Sequence, residues 1–366
     1  MRTHLQNLHV VLLVCAGIMG GFIVSSAVCA EELHMMTYEG TTPPGRLEEF
    51  TAIIKDKYGV DLEITVSYIA DPGEYYKALR NKQVDIINAP HNTLKDPRYK
   101  LIQGKLILPL DLANIPNYAD LIPGLQKADY AVEDGQVYAV PFAYAPYGLA
   151  YNTNLLATPP ESWAAFWDPQ NAGKYVIGSD YEQNIYITAL AMGVERDQLG
   201  SFDAVSSPEF LEKLTAFVKN ARGMWIGVDT ADVLQGTEFS TAWGFSFAEL
   251  QQRGEVWQMA DPKEGMMGAV GNWMISHTLL DQPQLKQIAE EWLNYVISPD
   301  YQLNHLVRKL STSPTNMSIK AAMTPEEAAA FHLDDPDYFE THLIPYPTLD
   351  NRSRQGFELL WKKATR

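Results

Sequence analysis

The chain has 366 residues, of which 46% are apolar and 20% charged, a composition typical of a globular protein with more than one domain and not of a disordered chain. Lys and Arg number 28 against 45 Asp and Glu, which gives a formal net charge of -17. A surface this acidic repels phosphate backbones, so the composition argues against nucleic acid as a general partner.

The first thirty residues have the pattern of a secretory signal peptide. Arg2 supplies the positive start, an apolar run covers residues 10–24, and Cys29 and Ala30 are small residues at the predicted cleavage point. The run is shorter than the about 20 apolar residues that span a bilayer. We therefore expect residues 1–30 to be removed and the mature protein to lie in the periplasm, with acylation at Cys29 as the lipoprotein alternative. Cleavage removes both cysteines, so the mature chain would contain neither a thiol nor a disulfide.

After the signal peptide, short apolar strands alternate with amphipathic helices. Strands are predicted at 33–38, 62–68 and 84–88, and helices at 47–54 and 73–79. Strands separated by single helices indicate a parallel βαβαβ sheet. The same order returns later, with strands at 174–179, 241–245, 256–259 and 269–275 and helices at 181–192, 211–218, 285–296, 301–310, 325–331 and 354–363. The sequence therefore predicts two α/β lobes.

The carboxyl ends of the predicted strands are the first place to look for a binding site, because ligands of open α/β sheets bind there. In this sequence those ends are residues 38–39, 89–92, 179–180 and 243–245, which are rich in aromatic and acidic side chains. Tyr38 and Trp243 each end a strand, and we expect both to line a cleft.

Three other positions have two interpretations each. Tyr144 follows Pro141 at a predicted crossing between lobes, where it either faces the cleft or packs in a core. His91 lies at a strand end, where its imidazole either faces the cleft or bonds to nearby backbone. Tyr75 and Tyr76 resemble the tyrosine pairs that some proteins use to bind ferric iron, but we expect them to pack a helix on the sheet.

The sequence contains none of the motifs that would indicate an enzyme. It has no glycine-rich phosphate loop and no GxSxG nucleophile elbow. No two histidines of the mature chain lie three to five residues apart, so a helical zinc pair is absent. We expect no catalytic residue, no metal and no cofactor. An exported hydrolase on an α/β scaffold is the alternative, which a screen with ester and phosphate substrates would detect.

Several segments resemble one protein family in the same order along the chain. They are 38–45 (YEGTTPPG), 84–87, 140–144, 148–152, 162–167, 242–244, 262–265 and 313–316. Over nearly the whole mature chain, this series is similar to the bacterial family 1 extracellular solute-binding proteins. Within that family, the spermidine/putrescine-binding proteins of ABC importers resemble it most.

This resemblance implies a two-lobed type II periplasmic-binding-protein fold, in which each lobe is a mostly parallel sheet flanked by helices. The N-terminal lobe would contain residues 31–141 and 270–313, and the C-terminal lobe residues 142–269 and 314–366. The chain would cross between the lobes near Pro141, Ala269 and Pro314. The resemblance also implies a monomer that closes around a small molecule and delivers it to an inner-membrane ABC permease. A ligand-sensing module for a membrane receptor, with the same fold and site, is the alternative.

The strand-end positions and the resemblance together suggest a set of ligand-binding residues in the cleft, of which Tyr38, Glu39 and Trp243 are carried over from the family. They are Tyr38, Glu39, His91, Asn92, Tyr144, Asp180, Tyr181, Glu182 and Trp243. Polyamine binders of the family enclose the methylene chain between aromatic rings and hold the ammonium groups with carboxylates. Ala269 and Gly271 stand where such proteins have an aromatic and an acidic residue. Desolvated ammonium groups need compensating acids, so the missing acid argues against spermidine itself. The expected ligand is a polyamine or a related small amine, with a zwitterion or another solute as the alternative.

Overall fold

The computed structural model describes residues 30–69, 73–335 and 337–366. The predicted signal peptide, including Cys29, therefore lies outside the described residues apart from Ala30. Within these three ranges, no helix is both long enough and apolar enough to cross a membrane.

The helices and strands of the described residues follow one another as the alternating sequence pattern predicts. The strands are Glu31–Thr37 (β1), Leu62–Tyr68 (β2), Ile86–Pro90 (β3), Val132–Glu133 (β4), Gln136–Val137 (β5), Val140–Asn152 (β6), Tyr175–Gly178 (β7), Gly223–Trp225 (β8), Phe239–Ala242 (β9), Trp257–Met259 (β10), Met266–Ile275 (β11), Ser313–Pro314 (β12) and Leu343–Pro345 (β13). The helices are Pro44–Tyr58 (α1), Gly73–Arg80 (α2), His91–Lys95 (α3), Tyr181–Ala191 (α4), Phe202–Val205 (α5), Pro208–Asn220 (α6), Ala231–Leu234 (α7), Phe247–Gln252 (α8), Pro283–Val296 (α9), Arg308–Leu310 (α10), Pro325–Ala330 (α11), Tyr338–His342 (α12) and Asn351–Ala364 (α13). A π-helical segment, Tyr301–Val307, leads directly into α10.

The long strand β6 is the main element that the sequence pattern does not predict. Pro141, Pro146 and Gly148 argue against a central strand, because proline cannot donate a ladder hydrogen bond and glycine weakens a strand. In the structure, Pro141 pairs with Asn272 beside an irregularity in the register of β11. The local break in the ladder allows a proline at this central position.

Eleven of the described strands form one continuous sheet that passes through both lobes, and β4 and β5 form a separate pair. The order of the sheet is β2-β1-β3-β11-β6-β9-β7-β8 along the main path of the described strands. β1 pairs in parallel with β2 and β3, and β7 pairs in parallel with β8 and β9. The central strands β11 and β6 run antiparallel to each other and to their outer neighbours. The predicted α/β fold, with a mostly parallel set of strands in each lobe, is confirmed.

β6 and β11 belong to both lobes. Residues 140–147 of β6 pair with β11, and residues 148–151 pair with β9 in the C-terminal lobe. β11 pairs with β3 through residues 271–275 and with β13 through residues 266–268. Because both strands are continuous, hydrogen-bonded backbone rather than loops joins the lobes.

The predicted lobe division assigns residues 314–366, which follow β12, to the C-terminal lobe, and this segment has contacts with both cores. In the structure, Ile319 and Leu333 form an apolar cluster with Leu303 and Val307 of the π-helical segment. That segment also contributes to the core of the N-terminal lobe. Further along the chain, Tyr338 and Ile344 join the core of the C-terminal lobe, while Phe339 packs with Ile122 and Leu125. The boundary at Pro314 stays a prediction. A proline breaks a strand but does not determine which core the next apolar residues join.

Each lobe has its own aromatic core. In the N-terminal lobe, the ring of Trp292 lies 5.1 Å from Phe50 and 5.6 Å from Trp273. In the C-terminal lobe, the ring of Phe166 lies 4.8 Å from that of Tyr175. Aromatic side chains bury large apolar areas and interlock edge to face, which favours one rigid arrangement. We therefore expect each lobe to move as a unit.

Candidate functional site

Two cavities lie between the lobes, next to the carboxyl ends of the parallel strands. The small cavity has a volume of 180 Å³ and is lined by Asn92, Thr93, Asp96, Arg98, Tyr99, Glu182, Pro347, Thr348, Leu349 and Arg354. The large cavity has a volume of 650 Å³ and is lined by Tyr144, Ala145, Pro146, Trp243, Gly244, Phe245, Phe247, Ala248, Gln258, Met259, Lys309, Leu310, Ser311, Thr312, Ser313, Ala329, Ala330, Phe331 and His332. Residues from both lobes line each cavity, so both cavities depend on how the lobes are placed.

The small cavity is organised around the guanidinium group of Arg354 on α13. Its Nη1 lies 3.3 Å from Oε1 of Glu182, and its Nη2 lies 3.6 Å from Oδ2 of Asp96. Arg98 Nε also donates to both Asp96 carboxylate oxygens, at 2.9 and 3.0 Å. The acidic groups of this cavity are therefore already paired with arginines, and Arg354 connects the two lobes.

Glu182 and Tyr181 stand together at the start of α4. The Tyr181 hydroxyl donates to Glu182 Oε1 at 3.1 Å. Desolvation, followed by the charge of Asp180, raises the pKa of Glu182, while Tyr181 and Arg354 oppose the rise. The carboxylate of Glu182 is thus the ion-pair partner of Arg354. The nearby charge of Asp180 makes an additional negative charge unfavourable at this end of α4.

Asp180 caps the N-terminus of α4 and still has an oxygen available. Its Oδ1 accepts the backbone N–H groups of Glu182 and Gln183 at 2.9 and 3.3 Å. The residue is exposed, yet the protein around the carboxylate raises its pKa by desolvation. This combination is typical of a carboxylate in a concave surface. No Lys, Arg or His of the described ranges forms an ion pair with Asp180, so its charge is available to a cation.

His91 is buried at the joint between the lobes rather than exposed to a cavity. Its Nδ1 accepts the backbone N–H of Val270 at 3.1 Å, and its Nε2 donates to the carbonyl of Tyr346 at 3.0 Å. Burial lowers the pKa of His91 to about 4, so the ring is neutral at neutral pH. Both ring nitrogens are used by backbone groups, which is the second of the two sequence interpretations. Its neighbour Asn92 lines the small cavity.

Tyr144 and Trp243 contribute walls of the large cavity. Tyr144 is buried; its hydroxyl donates to the carbonyl of Phe331 at 3.2 Å, and its ring lies 5.7 Å from that of Phe339. Trp243 is half-buried and packs edge to face on Tyr147 at 5.0 Å. Tyr144 is thus a fixed wall, while Trp243 keeps part of its ring accessible.

Asp229 holds the turn that carries Trp243, a role that the sequence does not reveal. Its Oδ1 accepts the backbone N–H groups of Trp243 and Gly244 at 2.8 and 3.2 Å. Its Oδ2 accepts the backbone N–H and the hydroxyl of Ser246 at 3.1 and 2.6 Å. Asp229 is buried, so these bonds exchange little with water and fix the position of the indole.

Tyr38 and Glu39 line neither cavity. The half-buried Tyr38 packs edge to face on Tyr75 at 6.3 Å, and Tyr75 itself is buried with its hydroxyl bonded to the Asn88 carbonyl. Glu39 is exposed at the end of β1. The next residue, Gly40, is so close to the large cavity that an added Cβ would lie 3.8 Å from Leu310. Glu39 therefore precedes, by one position in the sequence, a residue that lies beside a lining residue of that cavity.

The nine residues suggested by the sequence do not form one cluster. Asn92 and Glu182 line the small cavity, with Asp180 and Tyr181 beside Glu182, whereas Tyr144 and Trp243 line the large cavity. The sequence pattern does not reveal Arg354, Asp96 or Asp229 as site residues, because their bonds to one another or to the turn of Trp243 form only in the folded chain. Lys309 is also not found from the pattern, because only the fold places it at the large cavity. In the described ranges, no group of three or more His, Cys, Asp or Glu is arranged to hold a metal ion.

Comparisons with known proteins agree with this architecture. A family model described as bacterial extracellular solute-binding protein matches residues 47–333. The spermidine/putrescine-binding periplasmic protein of Salmonella typhimurium is 20% identical over 321 residues, which cover 87% of each chain. The spermidine/putrescine ABC transporter substrate-binding protein PotD of Streptococcus pneumoniae, solved with calcium and HEPES, has a TM-score of 0.74 and 16% identity over 92% of this chain and 100% of that chain.

A second solved structure shares the fold with another ligand. The PBP MotA from A. tumefaciens B6, in complex with glucopine, has a TM-score of 0.58 and 18% identity over 92% of this chain and 100% of that chain. The fold alone therefore does not identify the ligand. The Salmonella and Streptococcus proteins are named as binding proteins and not as enzymes. Since the family model covers most of its length, the chain belongs to the family of bacterial extracellular solute-binding proteins.

Proposed function

We propose that this chain is the substrate-binding subunit of an ABC importer. It binds a small organic amine between its lobes in the periplasm, as a single copy, and transfers it to an inner-membrane permease. The observation that carries this proposal is the continuity of β6 and β11 through both lobes, together with two cavities that residues of both lobes line. Two rigid lobes on shared strands can close around a ligand by bending at those strands.

Asp180 and Trp243 support an amine as the ligand. Asp180 has no cationic partner in the described chain, and a charge-assisted hydrogen bond to an ammonium group contributes roughly 1.5–3 kcal/mol. The accessible face of Trp243 can add a cation–π contact of roughly 0.5–2 kcal/mol. The names of the polyamine-binding relatives agree with an amine. Ala269 and Gly271 lie in β11 without acidic or aromatic groups, which favours a ligand with one ammonium end.

The other residues of the proposed site have supporting roles. Tyr144 forms a wall, and Asn92, Tyr181 and Glu182 shape the small cavity. Tyr38 and Glu39 stand at the end of β1, where Glu39 could compensate a second positive charge. His91 positions β3 and β11 relative to the backbone of Tyr346 and does not itself bind the ligand.

Small-angle scattering with a solute that the protein retains tests hinge closure. We expect the radius of gyration to fall on binding and the melting temperature to rise by mass action. Trp243→Ala should weaken binding with little dependence on salt, whereas Trp243→Phe, which keeps an aromatic face, should weaken it less. A tightly bound solute that leaves the radius of gyration unchanged would contradict closure. If no solute from cell extract raises the melting temperature, the binding role itself is wrong.

A further inference from the structure

The charged side chains that line the large cavity are not those expected of a site for an amine. No carboxylate lines it among the described residues, although the chain as a whole is strongly acidic. Burial lowers the pKa of His332, whose ring is stacked on Tyr338 at 3.6 Å. Lys309 is therefore the lining side chain that carries a charge at neutral pH.

The ammonium group of Lys309 is available to a ligand. Lys309 is exposed and forms no ion pair within the described ranges, whereas Arg308 beside it is paired with Glu327. Lys309 lies in α10, which a left-handed residue, Ser311, ends with φ of 50°. This short segment turns the chain along the wall of the cavity, so Lys309 and Ser311 both line it.

Gln258 adds a neutral donor to the same cavity. Its Oε1 accepts the hydroxyl of Tyr151 at 2.9 Å, so its amide N–H groups are left to bond with a ligand. The hydroxyl of Tyr144 is not available in this way, because it donates to a backbone carbonyl. The polar part of the lining thus presents donors and one positive charge, beside the aromatic faces of Trp243 and Phe245.

We propose that the solute bound in the large cavity carries a carboxylate group, which Lys309 and Gln258 hold, and an apolar part, which packs on the aromatic walls. A carboxylate matches such donors and a single unpaired cation, whereas an ammonium group at that end of the solute, beside Lys309, would be repelled. The inference rests on the proposed function, because it takes the cleft as the ligand site. Because the proposed function gives the same solute an ammonium group, the solute is then a zwitterion and not a polyamine.

Matched pairs of solutes that differ only in a carboxylate provide the test. The purified mature chain is incubated with an equimolar pool of ornithine and putrescine, lysine and cadaverine, and tyrosine and tyramine, together with spermidine. After rapid buffer exchange, mass spectrometry identifies the retained solute. We expect an amino acid to be retained in preference to its decarboxylated partner by at least about tenfold in affinity.

Calorimetry with the retained solute then tests the role of Lys309. Lys309→Gln should reduce the affinity for an amino acid by about ten- to one-hundredfold and should abolish the preference over the matched amine. Lys309→Arg keeps the charge and should retain most of the affinity. Lys320→Gln is the control, because it removes the same charge from an exposed residue that does not line the cavity.

Preferential retention of an amine, or equal loss of amine and amino acid in Lys309→Gln, would overturn the inference. Retention of no member of the pool would overturn it as well. The proposed function is judged separately, by compaction with any retained solute. A retained polyamine that compacts the protein would leave that function intact while excluding a carboxylate ligand.

Discussion

Arg354 Nη2 lies 3.6 Å from Asp96 Oδ2, and the two side chains belong to different lobes. The side chain of Arg354 is 20% exposed and that of Asp96 is 8% exposed. The same guanidinium group contacts Glu182 in its own lobe. The ion pair therefore contributes to holding the lobes in the arrangement seen here, and its strength bears on how easily the cleft opens.

Replacing Arg354 should weaken this arrangement. Arg354→Gln leaves Glu182 without its cationic partner, and we expect a loss of about 1–3 kcal/mol in the free energy of unfolding. The loss is measured by urea denaturation. Arg352→Gln on the same helix is the control; Arg352 is 69% exposed and pairs with exposed Asp203, so its loss should cost about 0–1 kcal/mol. Equal effects of the two changes would contradict a special role for Arg354.

The buried imidazole of His91 should make stability depend on pH. Its pKa is about 4 in the folded chain and about 6.5 when unfolded, so the unfolded state binds the proton first as the pH falls. The contribution to stability is fully present above pH 6.5 and is lost between pH 6.5 and 4, by up to about 3 kcal/mol. Denaturation of wild type and His91→Gln across this range measures it.

The variant should lack this part of the pH dependence, because glutamine does not titrate there. His277→Gln, which removes a half-buried imidazole from the same lobe, is the control for the loss of a histidine. Parallel pH profiles of wild type and His91→Gln would show that His91 is not buried in its neutral form.

Asp229 should be important for both stability and binding. Asp229→Ala leaves three N–H groups and one hydroxyl without their acceptor, and we expect a loss of about 1–3 kcal/mol in unfolding free energy. Because the turn carries Trp243, the affinity for ligand should fall as well. Asp232→Ala is the control, since Asp232 is 82% exposed and its pair with Arg253 contributes little. An unchanged affinity in folded Asp229→Ala would separate the turn from the site.

Asp180→Asn isolates the charge of the proposed ammonium site. Asparagine is as good an N-cap as aspartate, so α4 should keep its stability within about 0.5 kcal/mol. The affinity for a ligand with an ammonium group should fall about tenfold or more, measured by calorimetry. Glu39→Gln should have a smaller effect, because Glu39 is exposed at the end of β1, whereas the protein around Asp180 desolvates its carboxylate and raises its pKa. Unchanged affinity in Asp180→Asn would show that the ligand is not held there as a cation.

The export prediction is tested at the N-terminus. Protein purified from a bacterial host should begin at Glu31, as read by N-terminal sequencing. A blocked and lipidated Cys29 would instead indicate membrane anchoring and would leave one thiol derivative in the mature chain.

The sequence pattern predicts most of the fold because strand and helix periods are local properties. It places α4 within one residue of its observed end and identifies β2 in full. It misses β6, whose prolines and glycine argue against a strand. The pairing of β6 depends on contacts with strands that are distant along the chain.

Some residues of the candidate site can be predicted from the sequence pattern, and others are found only in the folded structure. Strand ends can be read from the sequence, and Asp180 and Trp243 are found by that rule. The partners of Arg354 and Asp229 cannot be found so, because each contact joins segments far apart along the chain. Lys309 looks like an ordinary helical lysine until the structure shows which wall it lines.

The sharing of β6 and β11 also determines the order in which the chain can fold. β3 ends at Pro90, but its neighbour β11 begins only at Met266, so the N-terminal lobe lacks its central strand until most of the chain is present. Pairings between such distant segments form slowly, because a long loop must close first. A chain that is still emerging therefore exposes the open edge of β3 and cannot complete its first lobe. We expect this delay to favour the unfolded form that a membrane translocation channel accepts, which suits the export predicted from residues 1–30.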